Sequence, residues 1–268
     1  MKVGVVKIGT MKIGAVKFLL CTFLLFAAHA NAEAIRNPVS AVPLSRMDTP
    51  WWRDRHLEKK ALLRAGPIDL VWLGDSITQN WEASGPPDWM DFAPVWRRYY
   101  GDRHALNLGF KGDTTQHLLW RMTNGELAGI TPRAAVVLIG ANNMGRVHNT
   151  APQVLAGIDA VIDTLRTQLP STRIVLISVL PSIRSAYVTR TTERVNAELA
   201  RHYASVPGIT FVDVTDLFMA HGVVDRTAFY DDQLTPPDPP LHPTPAAMAR
   251  LAARIEPAVV AALGDGRH

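Results

Sequence analysis

The chain has 268 residues, of which 47% are hydrophobic and 19% charged. This composition is typical of a globular protein and excludes disordered, collagen-like and low-complexity chains. The formal charge of +4 comes entirely from Lys2, Lys7, Lys12 and Lys17, because the remaining 24 basic residues balance 24 acidic ones. Since those 24 form no basic run, we expect no nucleic-acid partner.

Residues 1–32 have the features of a signal peptide. Spaced lysines lead into an apolar stretch at 18–28, and Ala30-Asn31-Ala32 supplies the small-x-small pattern for cleavage. The stretch is too short to span a bilayer, so we expect an exported protein, periplasmic or secreted, without stable membrane insertion once the signal is removed. A retained membrane anchor is the alternative. Because the single cysteine, Cys21, lies in this segment, the mature chain has no thiol and depends on its core for stability.

The mature chain reads as an extended, proline-containing lead-in at 33–50 followed by one domain at 51–268. Apolar runs without alternation predict strands covered on both faces, at 68–73, 104–108, 134–139, 174–180 and 209–214. Helical patterns lie between them, at 115–123, 152–168 and 191–205. Strand and helix alternate along the chain, which predicts a three-layer α/β domain with a parallel sheet between helices.

Polar residues follow the predicted strands, at the edge of the sheet where open parallel sheets bind ligands. Ser76 comes after the first strand in Gly74-Asp75-Ser76, Gly112 after the second, and Asn142 after the third. His242 precedes a last helix that Thr244 would cap. Each of these segments alone is an ordinary turn. Together they supply a serine, a base and oxyanion donors at one sheet edge, as acyl transfer requires.

Competing chemistries lack their motifs. The chain contains no Gly-x-Ser-x-Gly elbow, no His-Glu-x-x-His, no Walker A loop and no Gly-x-Gly-x-x-Gly. Its nine histidines are scattered, without a pair at convincing metal-ligand spacing.

The ordered set Gly74-Asp75-Ser76, Gly112, Asn142 and His242 resembles the blocks of the SGNH (GDSL) hydrolases. Residues 104–127 are similar to the platelet-activating-factor acetylhydrolase catalytic-subunit branch of that family. The resemblance implies a flavodoxin-like fold with a five-stranded parallel sheet. It also implies a serine ester hydrolase that needs no metal or other cofactor.

The resemblance also implies roles for single residues. Ser76 would be the nucleophile and His242 the base, while Asp75 would brace the loop. The oxyanion hole would consist of the backbone N–H groups of Ser76 and Gly112 and the side-chain amide of Asn142. Glycine at 112 suits this role, since no side chain blocks its N–H.

The acid that orients His242 is harder to place from the sequence. The family's acid normally lies three residues before the histidine, but here that position is Pro239. We expect Asp238, one residue further away, to take its place. Asp231 or Asp232 is the alternative, and so is a backbone carbonyl that orients the ring without any acid.

The substrate is constrained only in outline. The aromatic-rich region 81–100 is expected mainly to pack a helix onto the sheet, with the alternative that one or two rings stack on a sugar. No long insertion is present to form a lipid-holding lid, which favours a small acyl ester. We expect an O-acetylated carbohydrate or cell-envelope polymer, with phospholipid less favoured. An O-acyltransferase and a non-catalytic carbohydrate-binding protein remain alternative functions, and the sequence gives no indication of the oligomeric state.

Overall fold

The computed structural model describes residues 38–266. The signal peptide expected at 1–32 lies outside the described residues. A five-stranded sheet in the order β2-β1-β3-β4-β5 forms the centre of the fold, and all of its neighbouring strands are parallel. This is the flavodoxin-like strand order. The strands are β1 (Leu70–Gly74), β2 (Ala105–Gly109), β3 (Ala134–Leu138), β4 (Arg173–Ile177) and β5 (Ile209–Val212). A short antiparallel pair follows, β6 (Met219–Ala220) and β7 (Val223–Val224).

Helices cover both faces of the sheet. They are α1 (Pro50–Leu62), α2 (Ser76–Gln79), α3 (Ala93–Tyr100), α4 (Thr115–Arg121), α5 (Ala141–Gly145), α6 (Ala151–Gln168), α7 (Ala186–Tyr203) and α8 (Pro245–Leu263). Alternate residues of β1 point to opposite faces. Val71 and Leu73 join a core with α4, α6 and α7, while Leu70 and Trp72 join one with α3 and α8. Every residue of β1 is buried, which explains its uninterrupted apolar run.

The predicted α/β fold is confirmed, with shifts at the element ends. Helix α7 begins five residues before its predicted start because the Ser185 side chain caps it, accepting a hydrogen bond from the N–H of Val188. Helix α4 ends at Arg121 and continues as one π-helical turn to Glu126. Gly125 adopts a φ of +95° there, a conformation that favours glycine.

The described part of the lead-in is tied to the domain. Residues Val39–Ala41 form a 3₁₀ turn, and the carbonyl of Ser40 accepts a hydrogen bond from Thr115 Oγ1 at 2.7 Å. One compact unit starts at Val39 and includes the rest of the described chain. The boundary drawn at residue 51 stays a prediction. Within residues 38–266, no helix combines the length and apolar character needed to cross a bilayer.

A buried ion-pair cluster lies between α4 and the sheet. Arg121 donates from Nε to Asp113 Oδ2 at 2.8 Å and from Nη1 to Glu126, and all three side chains are fully buried. Its guanidinium carbon lies 3.9 Å from the centre of the Phe110 ring. Burial raises the pKa of Asp113 to about 6, although Arg121, Trp52 and Arg46 oppose the shift. Burial of these charged side chains is therefore tolerated only while they are paired with one another.

We expect Arg121→Met to lower the free energy of unfolding by about 3–5 kcal/mol, because Asp113 and Glu126 lose their buried partner. The loss should be larger at pH 8 than at pH 5. Without the arginine the buried carboxyls are harder to ionise when folded, so ionisation favours the unfolded chain as the pH rises. Urea unfolding at both pH values measures this. Arg201→Met, which removes an exposed pair with Glu198, is the control and should leave the midpoint near that of the wild type.

Candidate active site

Three neighbouring strands bring the predicted site residues together. Gly74, at the end of β1, pairs with Gly109 of β2 on one side and Leu138 of β3 on the other. The loops that follow these strands carry Ser76, Gly112 and Asn142, which line one cavity. Ser76 is the first residue of α2. Asp75 caps this helix, its Oδ1 accepting from the N–H of Ile77 at 3.0 Å.

A chain of hydrogen bonds connects a serine, a histidine and an aspartate. Ser76 Oγ lies 3.0 Å from His242 Nε2, and His242 Nδ1 lies 2.7 Å from Asp231 Oδ1. The other Asp231 oxygen accepts from the backbone N–H groups of Leu241 at 2.7 Å and His242 at 2.6 Å. Tyr230 stacks on the His242 ring with a centroid separation of 5.5 Å. The imidazole is therefore fixed by contacts on its face and at both nitrogens.

The acid expected at Asp238 is not in contact with the histidine, and Asp231 occupies that position. Asp238 is exposed, and its backbone N–H donates to the carbonyl of Asp231 at 3.1 Å. The loop thus folds back, which brings a residue eleven positions before His242 against the ring. Asp232, the other alternative, points elsewhere and pairs with Arg226 at 2.5 Å.

The residues expected to supply the oxyanion donors line the same cavity as Ser76. Gly112 has a φ of +74°, in the region that favours glycine. Asn142 Nδ2 donates to the Asp113 carbonyl at 2.9 Å and makes a longer contact of 3.3 Å with Asp75 Oδ2. Asn143 accepts from the N–H of Thr115 at 2.9 Å, which ties the Gly112 loop to α5. Gly112 and Asn142 thus lie on the wall of the cavity that contains Ser76, and their role as oxyanion donors stays a prediction.

Burial dominates the electrostatics beneath the cavity. It raises the pKa of Asp75 to about 6, although the N–H of Ile77 and the nearby His242 favour the charged form. His117, beside the loop, has its pKa lowered to about 4 by burial and by the positive charge of Arg46. Burial also lowers the pKa of Arg184. The His117 ring is therefore neutral at neutral pH, while the Asp75 carboxyl ionises less readily than an exposed one.

The cavity has a volume of about 320 Å³, and sequence reasoning did not identify all of its walls. Lys111, Arg146, Arg184, Tyr230 and Leu241 complete its lining. No spacing or motif distinguished these residues, since they lie in loops and short helices whose direction depends on tertiary contacts. Elsewhere, α7 and the β6–β7 pair line a second cavity of about 470 Å³.

The aromatic region at 81–100 packs mainly as expected. Trp81, Phe92 and Tyr100 are fully buried, and Trp96 and Tyr99 pack against their cluster. None of the region's aromatic residues lines the cavity that holds Ser76. Trp89 packs against Tyr230, a residue of the cavity wall, with the ring centroids 5.2 Å apart and the ring planes tilted by 37°.

Comparison with known proteins assigns the family. The model of the GDSL-like Lipase/Acylhydrolase family matches residues 72–250. Platelet-activating factor acetylhydrolase IB subunit alpha1 from Bos taurus is 35% identical over 182 residues, which cover 67% of this chain and 73% of the relative. The human subunit alpha1 is also 35% identical, over 67% of this chain and 74% of the relative.

Solved structures share the fold. A GDSL-like lipase from Bacteroides thetaiotaomicron superposes with a TM-score of 0.60 at 17% identity, over 78% of this chain and 97% of that protein. A carbohydrate acetylesterase family member from Sinorhizobium meliloti has a TM-score of 0.54 at 16% identity, over 74% and 99% respectively. The chain belongs to the GDSL-like lipase/acylhydrolase family, in the branch that resembles platelet-activating-factor acetylhydrolase subunits, and is a carboxylic ester hydrolase.

Proposed function

We propose that this protein is an exported esterase that removes short acyl groups, chiefly acetyl, from a carbohydrate or cell-envelope polymer. The hydrogen-bonded chain Ser76–His242–Asp231 carries the proposal, because its distances of 3.0 and 2.7 Å suit proton transfer from a nucleophile to an oriented base. The alternative of a non-catalytic protein was based on the shifted position of the acid. The contact between His242 and Asp231 removes that reason.

The reaction would proceed through an acyl-enzyme. His242 Nε2 takes the proton of Ser76 Oγ as this oxygen attacks the ester carbonyl carbon. The bond to the alcohol breaks as His242 returns the proton to the departing oxygen, which leaves the acyl group on Ser76. Water then attacks the acyl carbon and gives a proton to His242. The carboxylic acid departs, and the proton returns to Ser76.

The oxyanion of each tetrahedral intermediate would be held by neutral donors. The backbone N–H groups of Ser76 and Gly112 are suitable because the first residue of a helix and a glycine loop leave them free of side-chain cover. Asn142 would give up its longer contact with Asp75 to supply a third hydrogen bond. Loss of one such donor typically costs about 10²–10³ in kcat.

Two observations support the substrate class, and a third supports the location. The serine lies in a cavity of about 320 Å³, a size that suits a small acyl group on a larger alcohol. The similar fold from Sinorhizobium meliloti is that of a carbohydrate acetylesterase family member. Export is inferred from the lysines and the apolar stretch that precede Glu33.

Ser76→Ala should abolish hydrolysis of p-nitrophenyl acetate and leave the far-ultraviolet circular dichroism unchanged, because it removes only the nucleophilic oxygen. Ser205→Ala changes an exposed serine in the same way and should retain wild-type turnover. Activity above a few per cent in Ser76→Ala would contradict the assignment of the nucleophile.

Asp231→Asn should lower kcat by about 10²–10⁴ with a small change in KM, because an amide no longer stabilises the imidazolium that forms during turnover. Asp238→Asn is the matched control and should turn over at the wild-type rate. Steady-state kinetics on p-nitrophenyl acetate measures both. A large loss in Asp238→Asn with an active Asp231→Asn would reverse the assignment of the acid.

The acyl group should be short. We expect kcat/KM to fall along the p-nitrophenyl esters from acetate to octanoate, because an open cavity cannot bury further methylenes, each worth up to about 0.8 kcal/mol when buried. A preference for octanoate would indicate a lipase instead.

A further inference from the structure

Three cationic side chains line the cavity that holds Ser76 and His242. They are Lys111, Arg146 and Arg184. In the part of the chain that the structure describes, none of them makes an ion pair with a carboxylate. Elsewhere in the described chain some cations form ion pairs, as Arg103 does with Glu256 at 2.7 Å, and others, such as Arg64, are exposed at the surface. What sets these three apart is that all of them line the one cavity that contains Ser76 and His242.

Arg146 lies directly over the Gly112 loop. A Cβ atom at position 112 would come within 2.6 Å of Arg146 Nη1 and 3.5 Å of Arg46 Nη1. The absence of a side chain at this glycine therefore lets a guanidinium approach the loop that bears an expected oxyanion donor. Lys111, the residue before Gly112, is exposed and adds its charge to the same side of the cavity.

Arg184 is held on the other side by uncharged partners. Its Nη2 donates to the Ala141 carbonyl at 2.9 Å and its Nε to Ser182 Oγ at 3.1 Å. A Cβ at Gly145 would meet its Nη1 at 2.2 Å, so a glycine again makes room for the guanidinium. These contacts fix the group while leaving its charge without a direct counter-ion.

The carboxylates beneath the cavity do not cancel this charge. Asp113 already pairs with Arg121 and Arg46, and Asp231 is occupied by His242 and two backbone N–H groups. Asp75 and Asp231 both attract Arg184, but neither makes an ion pair with it in the part of the chain that the structure describes. The three cations of the cavity thus keep hydrogen-bond donors available to an anion that enters it.

We propose that the alcohol part of the substrate is an acidic saccharide unit whose carboxylate or phosphate lies close to the acylated oxygen and binds Lys111, Arg146 and Arg184. This inference rests on the proposed function and names its substrate class. The acyl part is small and neutral, and His242 faces the departing alcohol. The alcohol part therefore extends toward the charged walls. The guanidinium group of arginine can donate two parallel hydrogen bonds to the oxygens of a carboxylate or a phosphate.

The test uses three methyl glucosides that carry one acetyl group at the same position and differ only at carbon 6. The neutral compound has a hydroxymethyl group there, the second a carboxylate and the third a phosphate ester. Acetate release gives kcat/KM for each. We expect at least one anionic compound to exceed the neutral one by about tenfold or more at low salt, with the advantage falling as sodium chloride is raised. The anionic compound with the larger increase in kcat/KM indicates whether the substrate is a uronate or a sugar phosphate.

Substitutions of single cations show which residues produce the preference for anionic substrates. Lys111→Gln and Arg146→Gln should each lower the ratio of anionic to neutral kcat/KM by about three- to tenfold, and the double variant should lower it further. Arg64→Gln removes an exposed cation between α1 and β1, at the opposite edge of the sheet, and should leave the ratio unchanged. Circular dichroism checks that each variant is folded.

Hydrolysis of p-nitrophenyl acetate separates the two proposals. If that ester is cleaved through Ser76 but the three glucosides react equally, the inference is wrong and the proposed function stands. Equal losses of the ratio in Arg64→Gln and Arg146→Gln would also overturn the inference, because the effect would then reflect overall charge. Acetate release from an acetylated anionic phospholipid vesicle, without release from any glucoside, would exclude the saccharide. If Ser76→Ala still cleaves p-nitrophenyl acetate, the proposed function fails and the inference with it.

Discussion

The buried carboxylate of Asp113 is the group to which the rest of the site is anchored. It accepts hydrogen bonds from Trp52 Nε1 at 2.8 Å, Arg121 Nε at 2.8 Å and Arg46 Nη1 at 3.2 Å, which come from α1, α4 and the segment before α1. Its own carbonyl receives the amide of Asn142 at 2.9 Å. A buried charge is tolerated only when it is paired, so these elements must assemble around the residue that follows Gly112. The position of the Gly112 loop is therefore a consequence of the packing behind it.

The sequence predicted the fold well because the features that determine it are local. Five apolar runs without alternation identify the strands, and the rule that ligands bind beyond the strand ends selects the segments that contain Ser76, Gly112 and Asn142. The resemblance to a known family then singles out these residues within the segments. Asp231 was named only as an alternative, because its approach to His242 depends on a fold-back of the loop. That fold-back is set by the N–H groups of Leu241 and His242, which no periodicity or spacing reports.

The cationic walls were missed for a related reason. After the first 20 residues the chain has equal numbers of basic and acidic residues, so its net charge predicts no anionic partner. Tertiary structure separates the charges, since Asp113 and Glu126 are buried with Arg121 while Lys111 and Arg146 remain exposed at the cavity. The electrostatic potential at a site thus depends on which charged side chains are buried together. The overall composition does not report this.

Asp75 and Asp231 are two buried carboxyl groups near His242 that differ in the hydrogen-bond donors around them. Asp75 is adjacent to Ser76 in the sequence, but it receives one backbone N–H, from Ile77, and a long contact from Asn142. Burial then favours its neutral form and raises its pKa to about 6. Asp231 accepts hydrogen bonds from two backbone N–H groups and also contacts the Nδ1 of the ring. Only a carboxylate held in this way can stabilise an imidazolium throughout turnover, so the proposed acid is the residue with more donors and not the one nearer to the serine in sequence.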